Sequence, residues 1–485
     1  MINFHQRLLS ALRQNFNFNH FRRGQEPVLQ FLLNGKSVLA VLPTGSGKTL
    51  IYQLFGLMSH QPVLIVSPLL SLMQDQVARM QYLGIRNVVA LNSRLTAFQK
   101  RLVLKHLNRY RYVYISPEML SNLWVMNNLR RQQWGLVVID EVHCVVQWGP
   151  DFRPEYLSLK SNLRKLGNPQ ILMLTATANH QTQNNVLQKL GFADHQIKRV
   201  VDSVDRPNIF LAIKEVSSEL AKNRVLIRLI NHLKLPGVVY FSSRKQANQI
   251  AELIRNRCHL RVEAYHSGLD QESRYKIQHQ FMNDQLDLIC ATSAFGMGID
   301  KDNLRFVIHY HLPASVGTYV QEIGRAGRDG QQSIAILLYQ PGDENLPFEL
   351  SIGNLPSNDL IYDFFKNPAK FKKYRHQVSQ IAILEYYLTH HFNFRQTVAV
   401  FDRCRARREA ELQAIIRYAN CRSCLRKRLL SYFDEDFDDH NQHCCNLGQQ
   451  IKLRPLHLYV DHHHQNDSKA LSWRPIINRL FNVTN

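Results

Sequence analysis

The sequence predicts an α/β protein made of two tandem parallel-sheet domains followed by a small helical subdomain, and three observations carry that prediction. Between Ser37 and Val201, short apolar β-branched runs alternate with helix-length polar stretches. The same alternation restarts after Arg206-Pro207. It stops after Pro341-Gly342. Short continuous apolar runs read as strands buried on both faces, and strands separated by helical stretches pair in parallel through crossovers that cover the sheet.

Taken in order, the opening MINFHQRLLSALRQNF is an amphipathic helical pattern. It lacks a long apolar core and a small-residue cleavage site, so no secretory leader is expected. SVLAVL, VLIVS, YVYIS, LVVID and ILMLT are the strands of a first domain over 1–205. GVVYFSS, LRVEAYH, DLICATS, LRFVIHY and SIAILLY are those of a second over 206–341. Turn formers crowd LPFELSIGNLPSNDL, and from Pro368 to Tyr432 leucine, isoleucine, tyrosine and arginine recur at helical spacing, which gives a helical subdomain over 342–450. Residues 451–485 read as a short polar tail.

Length and charge narrow the class. A chain of 485 residues is too long for one core, and 45% hydrophobic residues describe a globular protein with no apolar stretch fit to span a bilayer. A cytoplasmic location, no membrane partner and a monomer are expected. The formal charge of +22 points to a polyanionic partner, nucleic acid above all. Eight cysteines in a reducing compartment argue against a disulfide framework, yet four of them crowd between 421 and 445.

Two distant segments make chemical sense only together. LPTGSGKTL, Leu42 to Leu50, has the character of a phosphate-binding loop. Thr44, Gly45, Ser46 and Gly47 would wrap the phosphates, Lys48 supply charge and Thr49 a hydroxyl for Mg²⁺. Leu42 stands where the strict pattern has glycine. Nearly three hundred residues on, QEIGRAGRDG offers Arg325 and Arg328, suited to stabilise charge that develops during phosphoryl transfer. Between them, Asp140 and Glu141 follow the apolar run GLVVI at the carboxyl end of a strand, where open α/β sheets bind ligands. Asp140 would hold Mg²⁺, and Glu141 would orient and deprotonate the attacking water.

With these residues in place the chain resembles the RecQ DNA helicases, strongly over roughly 1–340 and more weakly over 341–450. The resemblance implies two RecA-like lobes with ATP between them. FRRGQ, preceded by Phe18, is similar to that family's adenine motif, so that Phe18 and Arg22 would sandwich the base and Gln25 would read its edge. HCVVQWGPDFRPEY, from His143, is similar to the family's aromatic-rich loop. There Trp148 and Phe152 offer stacking faces to unpaired bases, and Arg153 a cation. By the same resemblance Ser67, Arg244, His266 and Thr292 contact nucleic acid, Asp300 contacts the nucleotide, and Thr175 to Thr177 link hydrolysis to lobe movement. Val142 departs from the alanine that family members mostly carry.

Cys421-x-x-Cys424 followed by Cys444-Cys445, with His440 and His443 nearby, has zinc-like spacing. RecQ enzymes commonly bind zinc here, but the vicinal pair leaves the fourth ligand open, with His443 able to replace either cysteine. Many of them also continue into a winged-helix domain, whereas some thirty-five residues follow 450 here. The basic residues Arg403, Arg405, Arg407, Arg408, Arg426, Lys427 and Arg428 are therefore expected to grip duplex backbone.

The expected activity is an ATP-dependent DNA helicase, moving 3′ to 5′ by resemblance, with ATP, Mg²⁺ and Zn²⁺ as cofactors. DNA with a single-stranded tail or fork is the expected partner, alongside repair or single-strand-binding proteins. Two alternatives stand beside it: an RNA helicase of the same superfamily, and a strand-annealing protein that binds DNA without productive unwinding.

Overall fold

A computed structural model describes residues 4–68, 70–147, 154–296, 301–374, 378–437 and 444–461. Strands β1 (Ser37–Val41), β2 (Val63–Val66), β3 (Val88–Leu91), β4 (Tyr112–Ile115), β5 (Leu136–Ile139), β6 (Ile171–Thr175) and β7 (Ile197–Val201) form one parallel sheet in the order β3-β4-β2-β5-β6-β1-β7. Strands β8 (Ile209–Glu215), β9 (Gly237–Tyr240), β10 (Val262–Tyr265), β11 (Leu288–Ala291), β12 (Phe306–His309) and β13 (Ser333–Tyr339) form a second, ordered β10-β11-β9-β12-β13-β8.

The continuous apolar strands follow from burial on both faces. In β1, Leu39 enters one core while Val38 and Ala40 enter the other, and in β9 Val238 and Tyr240 part from Val239 in the same way. Neither face is left for water, so a polar side chain in these strands would have to find a partner. The carboxyl ends of both sheets thereby become the places where polar residues collect.

The helical part is less separate than its sequence suggests. Leu355, Ile361, Phe364, Ile381, Leu384, Tyr387 and Phe401 make a core of their own. The 26-residue helix Phe394–Ala419 leaves that core at its middle, and its Leu412, Ile415 and Tyr418 join the core of the second sheet together with Leu425 and Leu429. Residues 444–461, which span the expected boundary at 450, return to the second sheet: Cys445 bridges Leu211, Tyr459 bridges Leu233, and Leu453, Leu456 and Leu458 are buried there. Among the described residues no helix is long and apolar enough to cross a membrane.

Candidate active site between the two lobes

Chain geometry builds the phosphate loop where β1 ends. Gly45 and Gly47 take positive φ, 85° and 72°, which lets the chain turn sharply into the helix Lys48–Ser59. Space is as tight as the backbone: a Cβ on Gly47 would lie 2.6 Å from Gln25 Nε2, and one on Gly45 would lie 3.1 Å from Arg328 Cγ. Lys48 Nζ donates to the carbonyls of Leu42 (3.0 Å) and Pro43 (3.3 Å). Burial lowers the pKa of this ammonium, while the charges of Glu141 and Asp140 oppose the shift. Ser46 Oγ is buried with no hydrogen-bond partner among the described residues. A buried hydroxyl left unpaired in a loop at a helix N-terminus suits a phosphate oxygen.

Asp140 and Glu141 stand at the carboxyl end of β5. Glu141 has φ 48°, a left-handed backbone that a side-chain-bearing residue takes at a cost of about 1 kcal/mol or more. Burial, then the charge of Glu141, pushes Asp140 up to about 7, with Lys48 opposing. Burial raises Glu141 as well, against the charges of Lys48 and Arg325. Both carboxyls stay raised although Lys48 and, for Glu141, Arg325 lie near, and Asp140 with the Thr49 hydroxyl from the first turn of the Lys48 helix is an oxygen donor set that suits Mg²⁺.

The second lobe reaches this point directly. Arg325 is buried and close enough to act on Glu141 and Lys48 by charge, while Arg328 packs on Gly45. Gln321, from the helix Val316–Ile323, donates Nε2 to Thr177 Oγ1 at 3.2 Å and lies 3.5 Å from His143 Nε2. His143 in turn shares a 2.8 Å hydrogen bond with Thr175 Oγ1 and sits 3.3 Å from Glu141. A polar chain thus runs from the carboxylates through His143 to a residue of the opposite lobe. In sequence His143 and Gln321 stand 178 residues apart, and that spacing gives no sign that they meet.

The residues expected at the base and on the strand are placed less uniformly. Phe18 is 49% exposed, free to face a flat ligand, and Arg22 donates to Gly45 O. Gln25 is 2% exposed; its Nε2 donates to Ser46 O (2.7 Å) and Gly47 O (3.1 Å), and its Oε1 accepts from Arg22 N–H. Both ends of its amide are therefore engaged by the phosphate loop. Ser67 lies at the end of β2, and Arg244, His266 and Thr292 lie past the ends of β9, β10 and β11. Burial, then Arg244, lowers the pKa of His266, whose Nε2 lies 3.1 Å from Asn248 Oδ1. Trp148, Phe152, Arg153 and Asp300 fall outside the described residues.

Of the cysteines, Cys424, Cys444 and Cys445 bring their sulfurs within 4.8 Å of one another. Cys421, expected with them, is turned toward Ser423, its Sγ 3.3 Å from Ser423 Oγ. His440 and His443 lie outside the described residues. Leu425 N–H points at Cys445 Sγ (3.3 Å) and Lys427 N–H at Cys424 Sγ (3.5 Å). Hydrogen bonding from Cys444 holds Cys445 down to about 5, and hydrogen bonding with Cys445, then burial, pushes Cys444 up. Backbone donors aimed at sulfur favour thiolate, the form that binds a soft divalent metal.

The expected duplex grip is corrected for most of its residues. Arg426 is 4% exposed and holds Asp205, Arg206 O (3.0 Å), Ile209 O (2.6 Å) and Cys444 O. Arg405 donates to Pro356 O at 3.0 Å, Arg407 to Val146 O and Arg408 to Ser351 O. Helical spacing cannot distinguish a solvated basic face from guanidinium groups that cap the carbonyls of neighbouring elements. Arg403, Lys427 and Arg428 remain exposed.

Comparisons with known proteins agree with this geometry. Residues 22–186 match the DEAD/DEAH box helicase model and residues 221–330 the helicase conserved C-terminal domain. The chain is 38% identical over 485 residues to a probable ATP-dependent DNA helicase RecS of Bacillus subtilis, covering 95% of this chain and 97% of that one. It is 38% identical to the ATP-dependent DNA helicase RecQ of Haemophilus influenzae over 69% of this chain and 54% of that protein, so it spans about half the length of that relative. Among solved structures, the helicase MrfA bound to DNA matches with a TM-score of 0.59 at 19% identity, over 71% of this chain and 52% of that one. That last likeness speaks for the fold.

Proposed function

Because the chain belongs to the RecQ family of ATP-dependent DNA helicases, we propose that it couples ATP hydrolysis to 3′ to 5′ movement along single-stranded DNA and so separates strands in repair or recombination. One observation carries the reading most directly. Lys48, Asp140 and Glu141 of one lobe meet Arg325 and Arg328 of the other, so the cleft is complete only when the lobes close. Lys48 and the N–H groups of 44–49 bind the phosphates. Glu141 aligns the attacking water and takes its proton, while Arg325 and Arg328 stabilise the charge gathering on the transferred phosphoryl group. Mg²⁺, held by Asp140 and Thr49, would neutralise phosphate charge.

Movement follows from the polar chain. When the phosphate bond breaks, the charges that hold Arg325 and Arg328 change, and His143, Thr177 and Gln321 transmit the altered lobe position. Ser67 on one lobe and Arg244, His266 and Thr292 on the other supply two grips on one strand. Trp148, Phe152 and Arg153 would report that strand to the neighbouring carboxylates. Phe18, Arg22 and Gln25 bind the base, the last after releasing the phosphate loop, and Asp300 completes the nucleotide contacts. Cys424, Cys444 and Cys445, with a fourth ligand, would hold zinc, which would staple the helix Leu425–Tyr432 to the segment after 444.

The test is a Lys48→Ala variant. It should abolish DNA-stimulated ATPase and unwinding of 3′-tailed duplexes while DNA binding stays near wild type. Unwinding that persisted, or a preference for 5′ tails, would defeat the assignment.

A further inference from the structure

Arg206 lies in the linker between the lobes, and among the described residues its Nη1 and Nη2 donate to backbone carbonyls. Nη1 donates to Gly324 O (3.0 Å) and to Thr44 O (3.4 Å); Nη2 donates to Gly327 O (2.7 Å) and Ala326 O (3.2 Å). Gly324 and Ala326 are the chain neighbours of Arg325, and Gly327 precedes Arg328. One planar fork therefore holds the backbone on both sides of one arginine and just before the other. Its remaining contact, the longest of the four, lies in the phosphate loop of the opposite lobe.

The surroundings fix this fork in turn. Asn208 Nδ2 donates to Gly327 O and Gln331 O, each at 2.8 Å, and a Cβ on Gly327 would lie 2.5 Å from that same nitrogen. Gly327 has φ 55°, so the turn between the two arginines suits glycine on both steric and backbone grounds. Behind the linker, Arg426 of the helix Leu425–Tyr432 holds the carboxylate of Asp205 and the carbonyls of Arg206 and Ile209.

We propose that Arg206 is a positioning residue for ATP hydrolysis: it shapes the 324–327 turn so that Arg325 and Arg328 arrive together at the phosphate loop, and its Thr44 contact registers closure of the cleft. It touches no reacting atom. A planar guanidinium is suited to this task because it can meet several carbonyls at once, whereas an ammonium is a single point with shorter reach. The inference rests on the reading of Arg325 and Arg328 given above.

Four variants test it: Arg206→Gln, Arg206→Lys, Arg328→Ala and the Arg206→Gln/Arg328→Ala double. DNA-stimulated ATPase is measured across ATP concentration, with affinity for a fluorescent ATP analogue and a melting curve for each protein. Misplacing a transition-state group should lower kcat of Arg206→Gln about 10- to 100-fold and leave KM and analogue affinity within about threefold. Arg206→Lys, which retains the charge and some of the bonds, should recover part of kcat and keeps the test decisive if the glutamine variant melts early. The double variant should fall by clearly less than the product of the two single losses, since Arg328 is shared by both changes while Arg325 is still there to be misplaced. Arg206→Gln with near wild-type kcat, beside an impaired Arg328→Ala, would overturn the proposal, as would losses that multiply in the double variant. An Arg328→Ala enzyme with wild-type kcat would instead defeat the underlying reading of the arginine pair.

Discussion

Replacing Arg426 with methionine separates two roles that the sequence alone leaves confounded. The side chain is 4% exposed and its ion-pair partner Asp205 is about one-fifth exposed, at 21%. Methionine fills much of the volume but leaves that carboxylate without its cation and removes one donor each from the carbonyls of Arg206, Ile209 and Cys444, of which the first and last keep the Ile209 and Leu211 N–H groups. Breaking a buried pair from one side costs about 3–5 kcal/mol, and access of water to Asp205 places the loss near the lower figure, about 3 kcal/mol. Urea unfolding would register it as a lower midpoint at unchanged slope. Duplex affinity, measured by titration at several salt concentrations, should keep its slope because no phosphate contact is removed. Were Arg426 a grip on DNA, stability would stay put and the slope of log K against log salt would fall by about 0.9 per lost contact. That result would refute the structural assignment.

Two further outcomes follow from the site and the cysteines. Burial, then Lys48, pulls His143 down to about 4, so the folded protein resists a proton that the unfolded chain accepts near 6.5. This contribution to stability is whole above that unfolded value and is lost as pH falls toward the folded one. Between pH 7.5 and 5, wild type should lose about 2 kcal/mol more than His143→Gln in urea unfolding, whereas parallel losses would contradict the burial argument. For the thiols, elemental analysis of the purified protein should give about one zinc per chain, falling in Cys424→Ser and Cys444→Ser but not in Cys421→Ser. Metal that vanished with Cys421 would show that its turn toward Ser423 is not the liganded arrangement.

Much of the fold could be read from pattern because parallel strands buried on both faces must be apolar throughout. SVLAVL, LVVID and SIAILLY announced themselves for that reason. β3 (VVAL) and β7 (IKRVV) are edge strands of the first sheet; Lys198 and Arg199 dilute the run in β7, whereas β3 is apolar throughout and only half-buried at Val89 and Ala90. β8 followed a linker so closely that its IFLAIKE was absorbed into the boundary. Within the site, the places of Lys48, Asp140 and Glu141 at the ends of β1 and β5 were legible because they are fixed by neighbours in sequence. Arg206, Gln321 and Arg426 were not, since each works through carbonyls or hydroxyls more than a hundred residues away, and carbonyl positions leave no mark on composition. Arg405 and Arg408 misled for the converse reason, because an arginine that caps a backbone looks in sequence like one awaiting a phosphate.

The helix Phe394–Ala419 has a mechanical meaning beyond the cores it joins. At 26 residues it is a strut about 39 Å long, planted in the second lobe at one end and in the helical bundle at the other. A helix shared by two cores couples them, so on the proposed cycle the bundle should follow the second lobe as one arm. The contacts that arm makes with the first lobe, Arg407 on Val146 O and Tyr386 Oη 3.3 Å from Ser158 Oγ, are then the bearings on which it slides. They flank residues 148–153 on either side in the chain. On the proposed cycle, a change in lobe position therefore reaches the first lobe through those two contacts as well as through the nucleotide cleft.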